Sequence, residues 1–342
     1  MHYRKPSASL HDIPPWADWV ELVCLAHLDR AVQIDEMLDR YAEAKEADAE
    51  IAEEEANEDA TDADSEVTDP SEVGDETAEH NDRDSARVRD WFKHLAMRER
   101  LLGEDYPFTL SDGGDELRLR PKLSRSHRLY VALLMMSNLG LFRDNQNVLT
   151  NSFELLCLPV FRQLLPQGAA VHHFGANPLK KGRYSAGNLW ARLNRLSADL
   201  GTCMVITKDH FAPENSGDNG LDLVGWMPMP DEPAGGPVLE VGRPILFAQC
   251  ACTEEWKAKQ YEIDDRSWAK VMRFATGYAA AVFIPLCPRR ADGSWFKVQS
   301  FSSALCMDRI RIMHFLRGRL GECAKLPVWA VVENCLAPKE AA

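Results

Sequence analysis

The sequence predicts an α/β protein in which a mixed central sheet, flanked by helices, follows a mostly helical N-terminal accessory domain. Residues 1–147 carry apolar side chains mainly at helical spacing. From residue 148 onward, helical patterns alternate with short apolar runs that are typical of buried strands. A chain of 342 residues with 45% hydrophobic residues is long enough for two domains, which we place at 1–147 and 148–342.

The accessory domain is interrupted by an acidic segment. Residues 17–45 predict two helices with a break near Asp29 and Arg30, and residues 87–103 predict another helix. Residues 46–86 between them hold almost no large apolar side chains, so we expect this segment to be disordered. A second interpretation stays open, in which the segment mimics DNA and covers a basic site until it is displaced.

The acidic segment also accounts for the net charge of the chain. Of the 53 acidic and 39 basic residues, 19 acidic and two basic residues lie within 43–84. The remaining 34 acidic and 37 basic residues nearly balance. The overall charge of −14 therefore does not exclude a nucleic-acid partner for the folded part.

The second domain is predicted from an alternation of patterns. In order along the chain, we expect a helix over 151–165, a strand over 170–175, a helix over 187–200, strands over 220–226 and 244–252, a helix from Thr253, a strand over 279–285 and a helix over 305–316. Such an order is typical of an α/β core with a mixed sheet.

The cysteines and the hydropathy bear on the compartment. Nine cysteines are scattered and form no Cys-x-x-Cys pair, so we expect reduced core thiols. Cys250 and Cys252 are separated by a single residue, which is only a weak signal of a metal site. No apolar run approaches the roughly 18–20 residues of a membrane-spanning helix, and the first residues lack a signal peptide. We expect a cytoplasmic protein without a membrane partner.

Polar side chains interrupt two otherwise apolar strands. Asp222 lies within one predicted strand and Gln249 within the next, and Glu154 lies in apolar company on the preceding helix. Carboxylate and amide oxygens suit Mg²⁺ or Mn²⁺, and the backbone carbonyl of Cys250 could add a third oxygen. Structural roles stay open: Asp222 capping a turn near the sheet edge, Gln249 bridging backbone groups, and Glu154 stabilising a helix dipole.

Other polar residues near these strands have simpler explanations. His172 and His173 alternate on a predicted strand, so one faces inward, where a hydrogen-bonded core histidine is the expected role. Glu214 and Asp218 precede Asp222 and are expected as turn residues, although they could assist a metal ion through water.

The order of these elements resembles the PD-(D/E)xK superfamily, the restriction-endonuclease-like nucleases. The resemblance covers roughly residues 148–320 and implies a restriction-endonuclease-like mixed central sheet. In that family the aspartate matching Asp222 and the acid matching Gln249 bind a divalent metal ion, and the helix glutamate matching Glu154 often completes the site. A lysine two residues beyond the second acid assists the attacking water.

The sequence departs from that pattern at two positions. Gln249 replaces the usual second acid, and Ala251 occupies the lysine position. A lysine must therefore come from elsewhere, and the helix expected after Thr253 offers Lys257 and Lys259. Residues two apart lie about 200° apart around a helix, so only one can face the sheet. We favour Lys259 and keep Lys257 as the alternative.

Basic residues between the site elements are candidates for nucleic-acid contacts. The loop 178–184 and the helix after it carry the five that we expect to neutralise phosphates: Lys180, Lys181, Arg183, Arg192 and Arg195. A plain solvated turn is the alternative role for the loop.

These features lead to two functional hypotheses. The first is a Mg²⁺-dependent DNA endonuclease, a phosphodiester hydrolase that by its family resemblance acts as the nuclease effector of a bacterial antiviral (anti-phage) defence system. The sequence contains no P-loop, so ATP-driven steps would need a partner subunit, and a homodimer is also conceivable. The second is a catalytically inactive nuclease-like module that binds nucleic acid or scaffolds a multi-subunit complex, as Ala251 favours.

Overall fold

The chain divides into two compact units. The computed structural model describes residues 5–6, 12–45, 73–212, 214, 217–229, 243–253, 255–275 and 277–338. We call residues 1–122, 289–294 and 336–342 the N-terminal unit, and residues 123–288 and 295–335 the sheet unit. The sheet unit thus starts ahead of the expected residue 148.

The N-terminal unit combines helices with a small sheet. Its elements are α1 (Ile13–Ala26), β1 (Ala31–Gln33), α2 (34–45), α3 (Val73–Leu102), β2 (Phe108–Leu110) and β3 (Glu116–Leu119). The three strands pair antiparallel in the order β1-β3-β2. The helical character predicted for this region is confirmed, and β1 fills the predicted break after α1.

The structure describes only part of the acidic segment. Residues 46–72 lie outside the described residues, so the expectation of disorder stays untested there. Residues 73–86, however, belong to α3, which corrects that expectation for them. Val88, Trp91 and Leu95, at helical spacing, are buried.

The core of the N-terminal unit contains a buried ion cluster beside stacked indoles. The rings of Trp16 and Trp91 stack with centroids 4.9 Å apart. Arg98 donates to Asp18 at 2.6 Å and to Glu21 at 2.7 Å, and the side chains of Arg98 and Glu21 are fully buried. One guanidinium thus pairs with two carboxylates, and the hydroxyl of Tyr106 also donates to Glu21 at 2.5 Å.

The sheet unit contains the remaining elements. They are α4 (Arg125–Met136), α5 (Gln146–Gln163), β4 (Ala170–His173), α6 (Leu189–Leu200), β5 (Cys203–Met204), β6 (Leu223–Trp226), β7 (Ile245–Cys250), α7 (Trp256–Lys259), α8 (Asp265–Trp268), β8 (Met272–Arg273), β9 (Ala279–Phe283), β10 (Leu305–Met307), α9 (Arg309–Leu316) and α10 (Val328–Leu336). Helix α4 packs against α5 and α9, which explains why it belongs to this unit.

A five-strand mixed sheet forms the centre of this unit, as predicted. Its order is β10-β9-β7-β6-β4, in which β10, β9 and β7 run parallel and β7, β6 and β4 pair antiparallel. One predicted helix is wrong at its start: residues 305–307 form β10, and Asp308 caps α9 by accepting the Arg311 N–H. Pairing with the buried end of β9 outweighs the helical pattern there.

Two further expectations concern cysteines and membranes. All nine cysteines are free thiols, so the expectation of reduced cysteines is confirmed. Among the residues that the structure describes, no helix has the length and apolar character needed to cross a bilayer.

The ion cluster of the N-terminal unit gives a stability prediction. Replacing Arg98 with alanine leaves Asp18 and Glu21 buried without their cation, so we expect the free energy of unfolding to fall by about 3–5 kcal/mol. Urea denaturation measures the change. Arg118→Ala is the control, because Arg118 pairs with Glu116 at the surface, and its loss should cost under about 1 kcal/mol. Equal losses in the two variants would contradict the prediction.

Candidate metal centre

The two predicted polar residues lie where strands β6 and β7 end their pairing. Strand β6 begins at Leu223, later than the predicted residue 220, and Leu223 pairs with Ala248. Asp222 directly precedes Leu223, and Gln249 directly follows Ala248 in β7. The backbone of Asp222 is held on both sides, since its N–H donates to Ala248 at 3.0 Å and its carbonyl accepts from Phe174 at 2.7 Å. The strand order makes β6 an interior strand, so Asp222 does not lie at the sheet edge.

A tight turn brings the chain to Asp222. Gly220 has a φ of +74°, a conformation that L side chains rarely adopt. A Cβ at this position would lie 2.5 Å from the Cβ of Glu262, so a side chain has no room there. Asp218 stabilises the turn by accepting the Gly220 N–H at 2.9 Å. This confirms a turn role for Asp218 and places Glu262 beside the same loop.

The carboxylate of Asp222 is buried in an unfavourable electrostatic setting. Only 5% of Asp222 is exposed, and its Oδ2 accepts the Cys250 N–H at 2.6 Å. Burial raises the pKa of Asp222 well above its usual range, and the negative charges of Glu154 and Asp218 raise it further. The Cys250 N–H and the ammonium of Lys259 act in the opposite direction. A further cation would therefore favour the ionised carboxylate.

Gln249 presents a buried oxygen that has no partner. The residue is 5% exposed, and its Oε1 accepts no hydrogen bond from any described residue. A bridge from this oxygen to the sheet backbone, the structural alternative, is not formed. Buried polar atoms are normally satisfied, so the unpartnered oxygen of Gln249 calls for a ligand.

Glu154 is positioned by two buried side chains. The Oε2 of Glu154 lies 2.6 Å from His173 Nε2 and accepts the Asn177 amide at 2.9 Å. Asn177 also donates to the Asn151 carbonyl and accepts the Leu179 N–H, which fixes the orientation of its amide. The Oε1 of Glu154 accepts no hydrogen bond from the described residues, so it stays available for another ligand.

The position of Glu154 in helix α5 excludes its alternative role, the stabilisation of the helix dipole. Helix α5 begins at Gln146, so Glu154 lies beyond the first turn and cannot serve the helix N-terminus. The electrostatic effect of Glu154 on Asp222 instead indicates that the two carboxylates are neighbours. The structure therefore places Glu154 near Asp222, and it leaves the oxygen of Gln249 unpartnered one position beyond the last β6–β7 pair.

The two candidate lysines differ in their relation to this group. Both lie on α7, a single helical turn that Trp256 holds by its burial. Lys259, rather than Lys257, is among the groups that most affect the pKa of Asp222, and it acts on Glu262 as well. Ala251, at the expected lysine position, is fully buried in an apolar cluster.

The donor set fits a hard divalent cation better than a soft one. Among the residues that the structure describes, no three His, Cys, Asp or Glu side chains form a metal-binding group by themselves. Asp222 and Gln249 would thus act with the backbone carbonyl of Cys250 and with Glu154. Burial raises the pKa of the Cys250 and Cys252 thiols well above their usual range, so these cysteines stay protonated and do not offer thiolate ligands.

The basic residues divide by exposure. Lys180 and Lys181 are exposed, as a phosphate contact requires. Arg183 is exposed but pairs with Asp199, and Arg195 donates to the Arg183 carbonyl at 2.7 Å.

The prediction that Arg192 contacts phosphates is wrong. It is 2% exposed and donates to the Gly217 carbonyl at 3.0 Å and to the Ser185 carbonyl at 3.4 Å. Arg192 therefore holds the loop ahead of Asp222 and does not lie at a nucleic-acid surface.

The sequence reasoning missed the partners of Glu154. Of the two alternating histidines, the one that faces inward is His173, which is buried and hydrogen-bonded as expected. Its partner Glu154 and the contribution of Asn177 were not predicted. The available signal was that His173 and Asn177 are polar residues at and just after the end of strand β4. Nothing in their spacing indicated that they contact Glu154. Compared with known proteins, the chain matches no family model, no curated protein and no solved structure.

The buried carboxylate predicts a pH-dependent stability. Since the pKa of Asp222 is raised on folding, the native protein binds more protons than the unfolded chain above about pH 3.9, and ionised Asp222 opposes folding. We expect Asp222→Asn to raise the free energy of unfolding at pH 7 in EDTA. The gain should shrink as the pH falls toward about 4, where the carboxyl group is protonated in the folded state and about half protonated in the unfolded chain.

Urea denaturation from about pH 4 to 8 measures this difference. Asp144→Asn, at an exposed position of the sheet unit, is the matched control and should change little. A loss of stability in Asp222→Asn at pH 7, or a difference that does not depend on pH, would contradict the raised pKa.

Proposed function

We propose that the protein is a Mg²⁺- or Mn²⁺-dependent DNA endonuclease whose sheet unit belongs to the restriction-endonuclease-like (PD-(D/E)xK) type. One observation carries the proposal. At the end of the β6–β7 ladder lie a buried carboxylate with a raised pKa and a buried amide oxygen that no described residue satisfies. Both atoms are oxygens of the kind that Mg²⁺ and Mn²⁺ prefer.

The order of the elements supports the assignment. Helix α5 carries Glu154, β6 follows directly after Asp222, β7 carries Gln249, and α7 carries Lys259. This is the order in which the PD-(D/E)xK family supplies its metal-binding acids and its lysine, with the lysine moved from position 251 to α7.

Each residue has a definite task in this proposal. When bound, the divalent ion supplies an activated water and neutralises charge on the phosphate. Asp222 and Gln249 hold it, with Glu154 as a further oxygen ligand that His173 orients. Lys259 places a fixed ammonium near the same atoms, where it stabilises the negative charge that develops on the phosphate oxygens.

Electrostatics explains why a cation should bind here. Burial has the largest effect on the pKa of Asp222 and raises it, and the negative charges of Glu154 and Asp218 raise it further. A divalent ion beside Asp222 would favour its ionised form and would also satisfy the oxygen of Gln249. Replacement of the usual second acid by Gln249 lowers the negative charge of the site, so its metal affinity should be modest.

Exposed lysines of the sheet unit support DNA as the substrate, and the family resemblance supports the partners. Lys180 and Lys181 project from an exposed loop and can neutralise phosphates of DNA. The family resemblance favours a cytoplasmic nuclease of an anti-phage defence system that works with partner subunits or as a homodimer. Because the sequence carries no P-loop, an ATP-driven step would come from such a partner.

A second candidate function has its own observation. Ala251 lies buried where the family has a lysine, and a nuclease-like module without that group could bind nucleic acid without cutting it. The two candidates agree on the DNA surface and differ on catalysis, so a cleavage assay separates them.

Asp222 gives the first test of catalysis. We expect the wild-type protein to cut plasmid DNA with Mg²⁺ or Mn²⁺ and Asp222→Ala to show no cutting above background, because the metal ion loses its central ligand. In parallel, the metal ion should raise the melting temperature of the wild type and not that of Asp222→Asn. Asp144→Asn is the control in both measurements.

The outcomes separate the candidates. The inactive module is supported if the metal ion raises the melting temperature and the protein binds DNA but does not cut it. This result counts only if cutting is still absent after partner subunits have been added. Cutting by Asp222→Ala at the wild-type rate would overturn the proposed site.

The two lysines give a matched pair of variants. We expect Lys259→Met to lower the single-turnover cleavage rate by about 10²–10³-fold, as the loss of one charge-stabilising donor does in other enzymes. Lys257→Met, two residues away on the same helical turn, should stay within about threefold of the wild type. The reverse order of effects would assign the role to Lys257, and equal small effects would remove α7 from the mechanism.

A further inference from the structure

A cavity of about 630 Å³ opens at the opposite end of β9 from the candidate metal centre. Ala279, at the start of β9, contributes to its wall, whereas Gln249 pairs with Val282 further along that strand. The rings of Tyr278, Trp295 and Phe301 also line it. The volume and the aromatic lining are those of a small-molecule pocket.

One wall of this pocket carries an uncompensated cation. The guanidinium of Arg311 lies over the ring of Trp295, 4.9 Å from its centroid, and donates to the Cys306 carbonyl at 2.6 Å. No carboxylate of the described residues forms an ion pair with Arg311. Stacking on Trp295 fixes the plane of the guanidinium and leaves its charge available to an anion.

Other parts of the lining carry carboxylates. Asp264 caps α8 by accepting the Ser267 N–H at 2.7 Å. The carboxylate of Asp265, also in the lining, makes no hydrogen bond or ion pair with the described residues. Burial is the main cause that raises the pKa of Tyr278, and the negative charges of Asp265 and Asp264 raise it further. The two carboxylates therefore lie close to the aromatic lining. The pocket thus combines aromatic rings, a cation and a carboxylate.

We propose that this pocket binds a nucleotide. The base stacks on the aromatic wall of Trp295 and Phe301, the phosphate lies against Arg311, and an amino group of the base donates to Asp265. The choice of a nucleotide over an aromatic peptide rests on the proposed function.

The pocket is connected to the helix that carries Lys259. Gln260 donates to the Ser300 carbonyl at 2.6 Å and accepts the Ser302 N–H at 2.7 Å. Trp256 of α7 contacts Phe301, with ring centroids 5.2 Å apart. The pocket wall and α7 therefore form one packed structure, and a bound base would lie on the same unit as the DNA being cut. The bound base belongs either to an unstacked nucleotide of a single strand or to a free mononucleotide.

Binding can be measured without cleavage. The protein carries Asp222→Asn and is kept in EDTA, so failure of the proposed nuclease activity does not affect the result. Isothermal titration with dAMP, dGMP, dCMP and dTMP reports on free nucleotides, and anisotropy of a fluorescein-labelled single strand of about ten nucleotides reports on an unstacked base. Saturable binding of a mononucleotide identifies the free source; binding of the strand alone identifies the second.

The variants test each wall of the pocket. We expect Trp295→Ala and Arg311→Gln each to weaken binding about tenfold or more, and Trp295→Phe to stay within about threefold because the stacking surface is kept. Asp265→Asn should weaken binding of amino-bearing bases and leave thymine unchanged. Arg143→Gln, an exposed arginine of the same unit, is the control and should bind normally.

Several results would overturn the proposal. These are no binding of any nucleotide by the folded protein, unchanged binding in all three of Trp295→Ala, Arg311→Gln and Asp265→Asn, or equal binding of inorganic phosphate alone. Displacement of the nucleotide by an equal concentration of a blocked aromatic dipeptide would assign the pocket to peptides. Circular dichroism of each variant shows that it has folded, and the Arg311→Gln and Asp265→Asn variants keep the test valid if Trp295→Ala does not fold.

Discussion

The antiparallel pairing of β6 with β7 is the constraint on which the candidate centre depends. It brings Asp222 and Gln249 to the same end of the ladder, although the chain between them is long. The pairing also places the Cys250 N–H 2.6 Å from the Asp222 carboxylate, a bond that partly offsets the cost of burying the charge. Helices α5 and α7 then add Glu154 and Lys259 around a position that the sheet has already defined.

The sequence predicted the parts of this arrangement that depend on local pattern. An acid and an amide within apolar runs are visible without a structure, and so is the alternation of helices and strands that predicts a mixed sheet. The pattern failed at β10, because residues 305–307 continue the apolar spacing of α9 while their backbone pairs with β9. Asp308, a good N-cap residue, was the local signal that the helix begins after it.

Burial decides the role of a charge, and spacing alone does not show it. Arg192 shares a helix with Arg195, but it lies inside the fold and supports the loop that leads to Asp222. Glu154 is separated from His173 by 19 residues, and only the packing of α5 on β4 brings them into contact. Both errors have the same cause, since a charge pattern reports which side chains exist and not which of them meet.

The missing lysine and the position of α7 have a common physical explanation. Ala251 is fully buried in the apolar cluster that also contains Trp256 and Val282, so a lysine at this position would have to place its charge in that cluster. The same cluster holds Trp256 and, through Phe301 and Trp295, the wall of the nucleotide pocket. Packing that excludes a charge at position 251 therefore also fixes the helical turn that carries Lys259. A single apolar contact surface therefore accounts both for an uncharged residue at position 251 and for the placement of Lys259.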